Sequence, residues 1–424
     1  MISLIGLIAL ALLFDYTNGF HDSANSVATV VATRVLRPRW AVLWAAMFNF
    51  VAFLIFGTAV ADTVGSTVKA PYVGMAVVFA ALIGAITWNY ASWHLALPTS
   101  SSHALIGGLV GAGLAKGGFA AIKAASVEKA LIFVIVSPVA GLIIAATLLA
   151  ILRFVLAGRE VERTERGFRW AQLASSAAVS LGHGGNDAQK TMGVIAALLV
   201  ATGHLDGSGS HLTVPFWVGL AAAAAIALGT SSGGWRIVRT MGSRITPLRP
   251  VSGFSAETAA AGALFVSTAI GAPVSTTHTV AGAITGAGTA NSGASVSWRI
   301  FGKIAIAWLV TLPAAALIAA FVYWTATLDN RLVAQGVMAV YLAILAAFVI
   351  VSLRRAPRAE DVANLSVDGQ PTIPVRVGAG SVISTEPAGE PAGEPAEEPA
   401  GEPAGSTPAT GADRRARLNA HQPL

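Results

Sequence analysis

The sequence predicts an all-α polytopic membrane protein, and three observations lead to this fold class. Hydrophobic residues make up 54% of the 424 residues and charged residues only 11%, whereas a soluble domain carries about 25% charged residues. Apolar runs of roughly 18–25 residues follow one another, which is the length that crosses a bilayer. Arg residues gather in a few loops between these runs. The chain contains no Cys, which excludes disulfides and thiolate metal sites.

About 10–12 membrane segments are expected from these runs. The first run, 1–14, lacks basic residues and leads into a polar motif, so we interpret it as half of a transmembrane helix broken at Asp15–Asn18 rather than as a signal peptide. The later segments are 40–61, 73–96, 103–115, 128–156, 170–202, 214–230, 252–271, 276–290, 299–326 and 332–353. Arg clusters at 34–39, 153–169, 236–249 and 354–358 predict a multi-pass cell-membrane protein with its N-terminus outside and its C-terminal tail in the cytosol.

Two short motifs occur twice. Asn18–Asn25 (NGFHDSAN) has a counterpart in Gly182–Lys190 (GHGGNDAQK), at an offset of 165 (187 − 22). Pro98–Gly107 (PTSSSHALIG) has one in Pro273–Gly282 (PVSTTHTVAG), at an offset of 175 (273 − 98).

The duplication and the assigned orientation predict two re-entrant-like hairpins that enter from opposite faces. This is an inverted-topology repeat with broken helices, the architecture of secondary transporters, whose sites lie near the bilayer midplane. We place the first repeat at 1–168 and the second at 169–353. Residues 354–424, with their Glu-Pro-Ala-Gly repeats, are expected to form a disordered cytosolic tail because they cannot build a core.

Ionisable side chains inside apolar segments are costly and mark ion or substrate paths. Asp22 and Asp187 occupy matching places in the first motif pair, and each could hold Na⁺ or a proton, helix capping being the structural alternative. His21 is a candidate proton carrier because it titrates near neutrality, although a packed neutral imidazole would serve equally. The predicted cation-coupling residues are Asp22, Asp187, His21 and Asn186.

Lys190 stands where the first motif has Asn25. Its ammonium could replace a bound cation or contact an anionic substrate, and it could also form a salt bridge with Asp187, three residues earlier on the same helical face. Asn25 follows Asp22 by one turn and adds an amide on the same face.

The hairpin tips are the predicted anion site. Pro98 and Pro273 interrupt apolar runs, and hydroxyl residues then begin new helices, whose free N–H groups and positive dipole ends bind phosphate-like anions. Ordinary capping explains one tip well and a matched pair poorly. The predicted substrate-binding residues are Ser100, Ser101, Ser102, Ser275, Thr276, Thr277, Lys190 and Asn25.

These motifs resemble those of the inorganic phosphate transporter (Pit) family. Residues 15–29 (DYTNGFHDSANSVAT) look like its first signature and 185–193 (GNDAQKTMG) like its second, and the resemblance covers residues 1–353. It implies symport of phosphate with a cation. His21 and Lys190 stand where the sodium-driven members have Asn, which is similar to the bacterial low-affinity branch. That branch is taken to be proton-driven and to accept metal–phosphate complexes.

The residue pattern alone indicates a cation-coupled oxyanion carrier, a transporter and not an enzyme. The resemblance implies import of phosphate, free or as a divalent metal complex, by proton symport. The expected partners are phosphate, the proton or Na⁺, and the bilayer. No cofactor, resident metal or nucleic acid is expected, and the sequence is compatible with a homo-oligomer without indicating one. The alternatives are a sodium-coupled phosphate or sulfate symporter, a passive channel, and a hydrolase built on Ser100–Ser102, His103 and Asp22. The duplication disfavours the hydrolase, which needs its nucleophile only once.

Overall fold

The computed structural model describes residues 3–209, 211–291 and 296–363, and this part of the chain is helical. Helices are the expected solution, because backbone polar groups in hydrocarbon must pair within their own segment. Its α-helices are α1 Leu4–Ala32, α2 Pro38–Val51, α3 Ala59–Gly65, α4 Met75–His94, α5 Ser101–Gly117, α6 Ala124–Val155, α7 Val161–Ala201, α8 Phe216–Ser232, α9 Trp235–Arg239, α10 Pro250–Ala269, α11 Thr276–Ala290, α12 Trp298–Ala326, α13 Arg331–Arg354 and α14 Ala359–Ala363.

Among the described residues, six helical segments are long and apolar enough to cross a membrane, and up to eight if each of two bent pairs forms one span. The bent pairs are α2 with α3, at 88°, and α8 with α9 and its π-helical extension, at 61°. The predicted number of segments was higher because it also counted α7, which carries many charges, and both arms of the second hairpin, α10 and α11. At 15 residues, α11 extends only about 22 Å and cannot span the membrane alone.

The two predicted hairpins are present, and their tips have the same backbone geometry. Two residues after the end of each first arm the backbone is left-handed: Ala96 follows α4 with φ 56°, and Gly271 follows α10 with φ 62°. Each tip closes with the two backbone hydrogen bonds of a Schellman motif. The longer-range bond runs from Leu97 N to Ser92 O in the first tip and from Ala272 N to Ser267 O in the second, and a shorter-range backbone bond accompanies it in each tip. Matching left-handed residues, 175 positions apart (271 − 96), support the duplication inferred from the sequence.

Each hairpin packs against a helix from the other half of the chain, since α5 lies along α12 and α11 along α6. Glycines make this contact close enough that backbone touches backbone. A Cβ added to any of these glycines would come within 2.4 Å of a carbonyl oxygen on the facing helix. The four pairs are Gly107 with Leu312, Gly111 with Ala316, Gly282 with Pro138 and Gly286 with Leu142.

The helices that carry the first motif pair are continuous, which corrects the predicted breaks. Asp15–Asn25 lies inside α1, and Gly182–Lys190 lies inside α7. The motif glycines serve packing instead of unwinding: Gly19 faces the carbonyl oxygen of Ile226, and Gly184 faces that of Asn49. The breaks occur instead at the hairpin tips and the two bends.

α1 and α7 contact each other and run antiparallel. At the end of α1, Thr33 donates a 2.9 Å hydrogen bond to Gln172, which lies early in α7. In the middle of α1, Asp15 lies beside Thr191, late in α7. Opposite orientation of equivalent helices is what an inverted repeat requires. The repeat limits 1–168 and 169–353 stay a prediction, with the limit falling inside α7. Residues 364–424 of the predicted tail lie outside the described residues.

Candidate functional site

The two aspartates of the first motif pair are buried and lie against the tip of the second hairpin. Asp22 is 2% exposed and Asp187 is 0% exposed. Thr277 Oγ1 donates to Asp22 Oδ1 and Thr276 Oγ1 donates to Asp187 Oδ1, each at 3.3 Å. Two adjacent hydroxyls of α11 thus serve one aspartate from each repeat.

Around Asp22 the polar contacts form a chain that reaches the first hairpin. His21 Nδ1 is 2.7 Å from Asp22 Oδ1, and His21 Nε2 is 3.1 Å from Ser92 Oγ on α4. Thr99, in the tip of that hairpin, donates to Ser92 Oγ at 2.8 Å. An imidazole bonded to a carboxylate on one side and a hydroxyl on the other is suited to exchanging protons.

Asn25 extends this cluster toward the second hairpin. Its Nδ2 donates to Thr277 Oγ1 at 2.9 Å, while its Oδ1 has no hydrogen-bond partner among the described residues. Asn25, Thr277 and Asp22 therefore form one connected group between α1 and α11.

Lys190 connects α7 to both hairpins. The side chain is 1% exposed, and its ammonium donates to Asp187 Oδ1, to Ser102 Oγ of the first hairpin and, at 2.8 Å, to Val274 O of the second. The salt bridge with Asp187 anticipated from the sequence is thus present. Because the same nitrogen also contacts both tips, Lys190 can respond to a ligand bound at either one.

The hairpin tips lie side by side. His103 and His278 follow the two tips, and their ring centroids are 4.8 Å apart, with Trp308 of α12 stacked on His278 at 4.0 Å. Ser100 Oγ accepts from His103 N at 3.2 Å, and Ser275 Oγ accepts from His278 N at 3.1 Å.

These two serines are the N-cap residues of α5 and α11, so capping accounts for one predicted hydroxyl at each tip. The neighbouring hydroxyls remain available for other partners. Ser101 Oγ is buried and has no hydrogen-bond partner among the described residues, whereas Ser102 and the two threonines already contact Lys190 and the aspartates. A ligand at the tips would thus have one free hydroxyl and several that must exchange partners.

Asn186 holds the second hairpin in place. Its Nδ2 donates to Thr268 Oγ1 at 3.0 Å and to Ala272 O at 3.1 Å. Its Oδ1 has no partner among the described residues. The amide nitrogen therefore orients the tip, and only the oxygen remains free for a cation.

His183 is a site residue that the sequence analysis left out. Its Nε2 lies 3.3 Å from Asp187 Oδ2, and its Nδ1 lies 3.3 Å from Asn49 Oδ1. Its place four residues before Asp187, on the same helical face, was the available signal. Asp22, His183 and Asp187 each offer one potential ligand atom, and these three atoms lie within 4.8 Å of one another. This spacing could hold a cation.

A second buried polar cluster surrounds Glu257, which is 1% exposed. Its oxygens accept from Thr29, Ser175 and, at 3.1 Å, Gln172. Glu257 lies on α10 and its partners lie on α1 and α7, so the carboxylate is enclosed between these three helices.

The components of the hydrolase alternative are not assembled. Both ring nitrogens of His103 lack a hydrogen-bond partner among the described residues, whereas Asp22 is bonded to His21. A nucleophilic triad requires the His to contact both the Ser and the Asp.

Comparison with known proteins agrees with this arrangement. Residues 18–319 match the phosphate transporter family. The chain is 54% identical to a "probable low-affinity inorganic phosphate transporter" of Rhizobium meliloti (strain 1021), over 77% of this chain and 97% of that protein. It is 40% identical to a protein of the same name from Bacillus subtilis (strain 168), over 76% and 97%. A solved structure, "The sodium-dependent phosphate transporter", matches with a TM-score of 0.69 and 26% identity, over 78% of this chain and 100% of that chain. This chain is a multi-pass membrane transporter, not an enzyme, and it belongs to the phosphate transporter family.

Proposed function

We propose that this protein imports inorganic phosphate by symport with protons and that the substrate binds between the two hairpin tips. The observation that carries this proposal is that the N-termini of α5 and α11 lie next to each other, beside two buried aspartates. The ring centroids of His103 and His278, which follow these N-termini, are 4.8 Å apart. Helix N-termini bind tetrahedral oxyanions through free N–H groups, and two from opposite repeats can surround one.

Hydroxyls and one ammonium supply the remaining donors. Ser101 carries a free buried hydroxyl. Ser102, Thr276 and Thr277 would each turn from their present partners to the phosphate oxygens, and Asn25 would follow Thr277. Lys190 would share its positive charge between Asp187 and the anion. A divalent metal ion bound to the phosphate would lower the charge that must leave water, which favours transport of a metal–phosphate complex.

The contacts of the two aspartates favour a proton over Na⁺. The ammonium of Lys190 already occupies the position beside Asp187, and His21 occupies one beside Asp22. We therefore assign the coupling proton to the Asp22–His21 pair. The two repeats would rock around the tips to expose the site to each side in turn, with the N-terminus outside and the C-terminal tail in the cytosol.

Sodium coupling is the second candidate. The close approach of Asp22, His183 and Asp187 favours it, and so does the sodium-dependent phosphate transporter that shares this fold. Hydroxyl and amide donors alone do not separate phosphate from sulfate, so the substrate also needs a direct test.

Labelled phosphate uptake into proteoliposomes tests the proposal. An imposed pH gradient, acid outside, should drive accumulation, and Asp22→Asn should abolish it. Asp329→Asn, which changes an exposed carboxylate, should behave as the wild type. Accumulation that follows an imposed Na⁺ gradient and ignores pH would reverse the choice of coupling ion.

Two further arms of this assay address the substrate. Added Mg²⁺ should raise uptake if the metal–phosphate complex is carried. Unlabelled sulfate that competes as well as unlabelled phosphate would contradict the assignment of phosphate.

A further inference from the structure

Asp15 is a buried carboxylate without hydrogen bonds. The side chain is 0% exposed in the middle of α1, and neither of its oxygens has a hydrogen-bond partner among the described residues. The other buried carboxylates of the described chain, Asp22, Asp187 and Glu257, each have at least one bonded partner. An isolated ionised carboxylate in such a place costs several kcal/mol, so Asp15 needs a physical explanation.

The surroundings of Asp15 consist of further unpaired polar atoms on the interface between α1 and α7. Thr191 and Asn18 are its polar neighbours, and Thr191 Oγ1 and Asn18 Oδ1 also lack hydrogen-bond partners among the described residues. A neutral carboxyl group can donate its O–H to an acceptor and accept from the threonine hydroxyl. A single proton on Asp15 would thus allow the three side chains to pair with one another.

The charged groups that act on Asp15 come from α7: Asp187 repels its negative charge and Lys190 attracts it. α8, which also packs on α1, has no ionisable residue in its sequence. The other ionisable residues of α1 and those of the other helices packed on it are Tyr16, His21, Asp22, Arg39, Tyr90, His94, His103, Lys116, Arg236, Arg239, Arg244, Glu257 and His278.

We propose that Asp15 is a second proton-binding residue of the transport cycle and carries one proton with each phosphate. The proposal rests on the proton symport proposed above and adds a site to it. When Asp15 is ionised, its charge opposes anion binding around Lys190 and Asp187. When it is protonated, that opposition disappears and phosphate binds.

The expected coupling is moderate in size. Asp15 and Asp22 are seven residues apart on one helical face, which corresponds to about 10 Å along α1. At that separation, removal of one charge in a medium with an effective dielectric constant near 20 changes anion affinity on the order of tenfold. This is within the range of typical coupling between two sites on one protein.

The pseudo-symmetry of the chain provides a matched control. At the offset of 165, Asp15 corresponds to Ser180, which is also buried and donates to Ser176 O in its own helix at 2.8 Å. Serine is therefore accommodated at the equivalent place of the other repeat. Asp15→Ser and Asp15→Asn both remove the ionisable group, and Ser180→Ala changes the equivalent position without touching a charge.

The test is the number of protons that enter with each phosphate. Proteoliposomes with an internal pH-sensitive dye are given labelled phosphate, and proton and phosphate uptake are recorded together. Asp15→Asn and Asp15→Ser should lower the proton-to-phosphate ratio by one relative to the wild type, and they should flatten the pH dependence of uptake. At equal pH and saturating phosphate, where the change in affinity does not limit the rate, exchange of internal for external phosphate by the Asp15 variants should stay within about twofold of the wild type. Ser180→Ala should match the wild type in every measurement.

An unchanged ratio in both Asp15 variants would overturn the inference while leaving the proposed function intact. Loss of phosphate exchange in both variants would also overturn it, because Asp15 would then serve the structure or the rocking step. Absence of proton uptake with phosphate in the wild type would refute the proton symport itself, and this inference with it, before any variant is compared.

Discussion

Replacement of Lys190 by Met should destabilise the protein by about 3–5 kcal/mol, because it removes one partner of a buried ion pair. The ammonium of Lys190 donates hydrogen bonds to Asp187 Oδ1, Ser102 Oγ and Val274 O. After the change, the Asp187 carboxylate would keep only a threonine hydroxyl and an imidazole at 3.3 Å. For a chain of this size the loss corresponds to a fall in melting temperature of about 3–6 °C.

A double variant separates the role of the charge pair from the role of the ammonium. Asp187→Asn with Lys190→Met removes both charges, so at least half of the lost stability should return, since no charge is left buried and unpaired. Phosphate uptake should not return, because the connection from α7 to the two hairpin tips is still missing.

Melting curves in detergent and uptake by proteoliposomes measure the two effects. Lys116→Met, which changes an exposed lysine of α5, should melt within about 1 °C of the wild type, as surface substitutions generally do. Wild-type melting together with wild-type uptake in Lys190→Met would refute the reasoning, since neither the pair nor the bridge to the hairpins would then matter.

Three further predictions concern the hairpins. Gly286→Ala would place a Cβ 2.1 Å from Leu142 O and should cost at least about 2 kcal/mol by overpacking, whereas Gly262→Ala, with open space around it, should not lower the melting temperature. Ser275→Ala removes a helix cap and should cost about 1 kcal/mol, which a melting curve would detect. Thr277→Val removes the hydroxyl that lies between Asn25 and Asp22. This change should raise the KM for phosphate uptake about tenfold. An unchanged KM would mean that phosphate binds elsewhere.

The hairpins were predictable because their signals are local. Pro98 and Pro273 exclude a continuous helix, and the serines two residues later cap the next one. Their duplication adds evidence that a single tip lacks. That the two tips meet was also foreseeable, because transporters with inverted repeats form their sites at the repeat interface.

The continuity of α1 and α7 was not predictable from the motif alone. Glycine is compatible both with unwinding and with close packing, and only the facing helix decides between them. Gly19 and Gly184 are pressed against Ile226 and Asn49, residues that are distant in sequence. The burial of Glu257 depends in the same way on two other helices.

The two motifs differ in charge, and this asymmetry supports the proposed coupling of phosphate to a cation. In each motif a His and an Asn precede the Asp, and their positions are exchanged between the motifs: Asn18 and His21 in the first, His183 and Asn186 in the second. Lys190 has no charged counterpart, because Asn25 takes its place. In the described chain, Asp22, Asp187 and Lys190 together carry one unit of negative charge when the histidines are neutral.

Phosphate that enters this site adds further negative charge to a region closed off from water, where an unpaired charge is most costly. Lys190 can compensate Asp187 or the substrate, but not both fully. A positive charge must therefore arrive on the side of Asp22 together with the anion, and the 2.7 Å contact with His21 gives a proton a place there. In the proposed proton symport, coupling has an electrostatic basis, because the state that holds phosphate without a proton is too high in energy to complete the cycle. Replacing Asn25 by Lys, which would give the first motif the charge of the second, should thus weaken the dependence of phosphate uptake on pH.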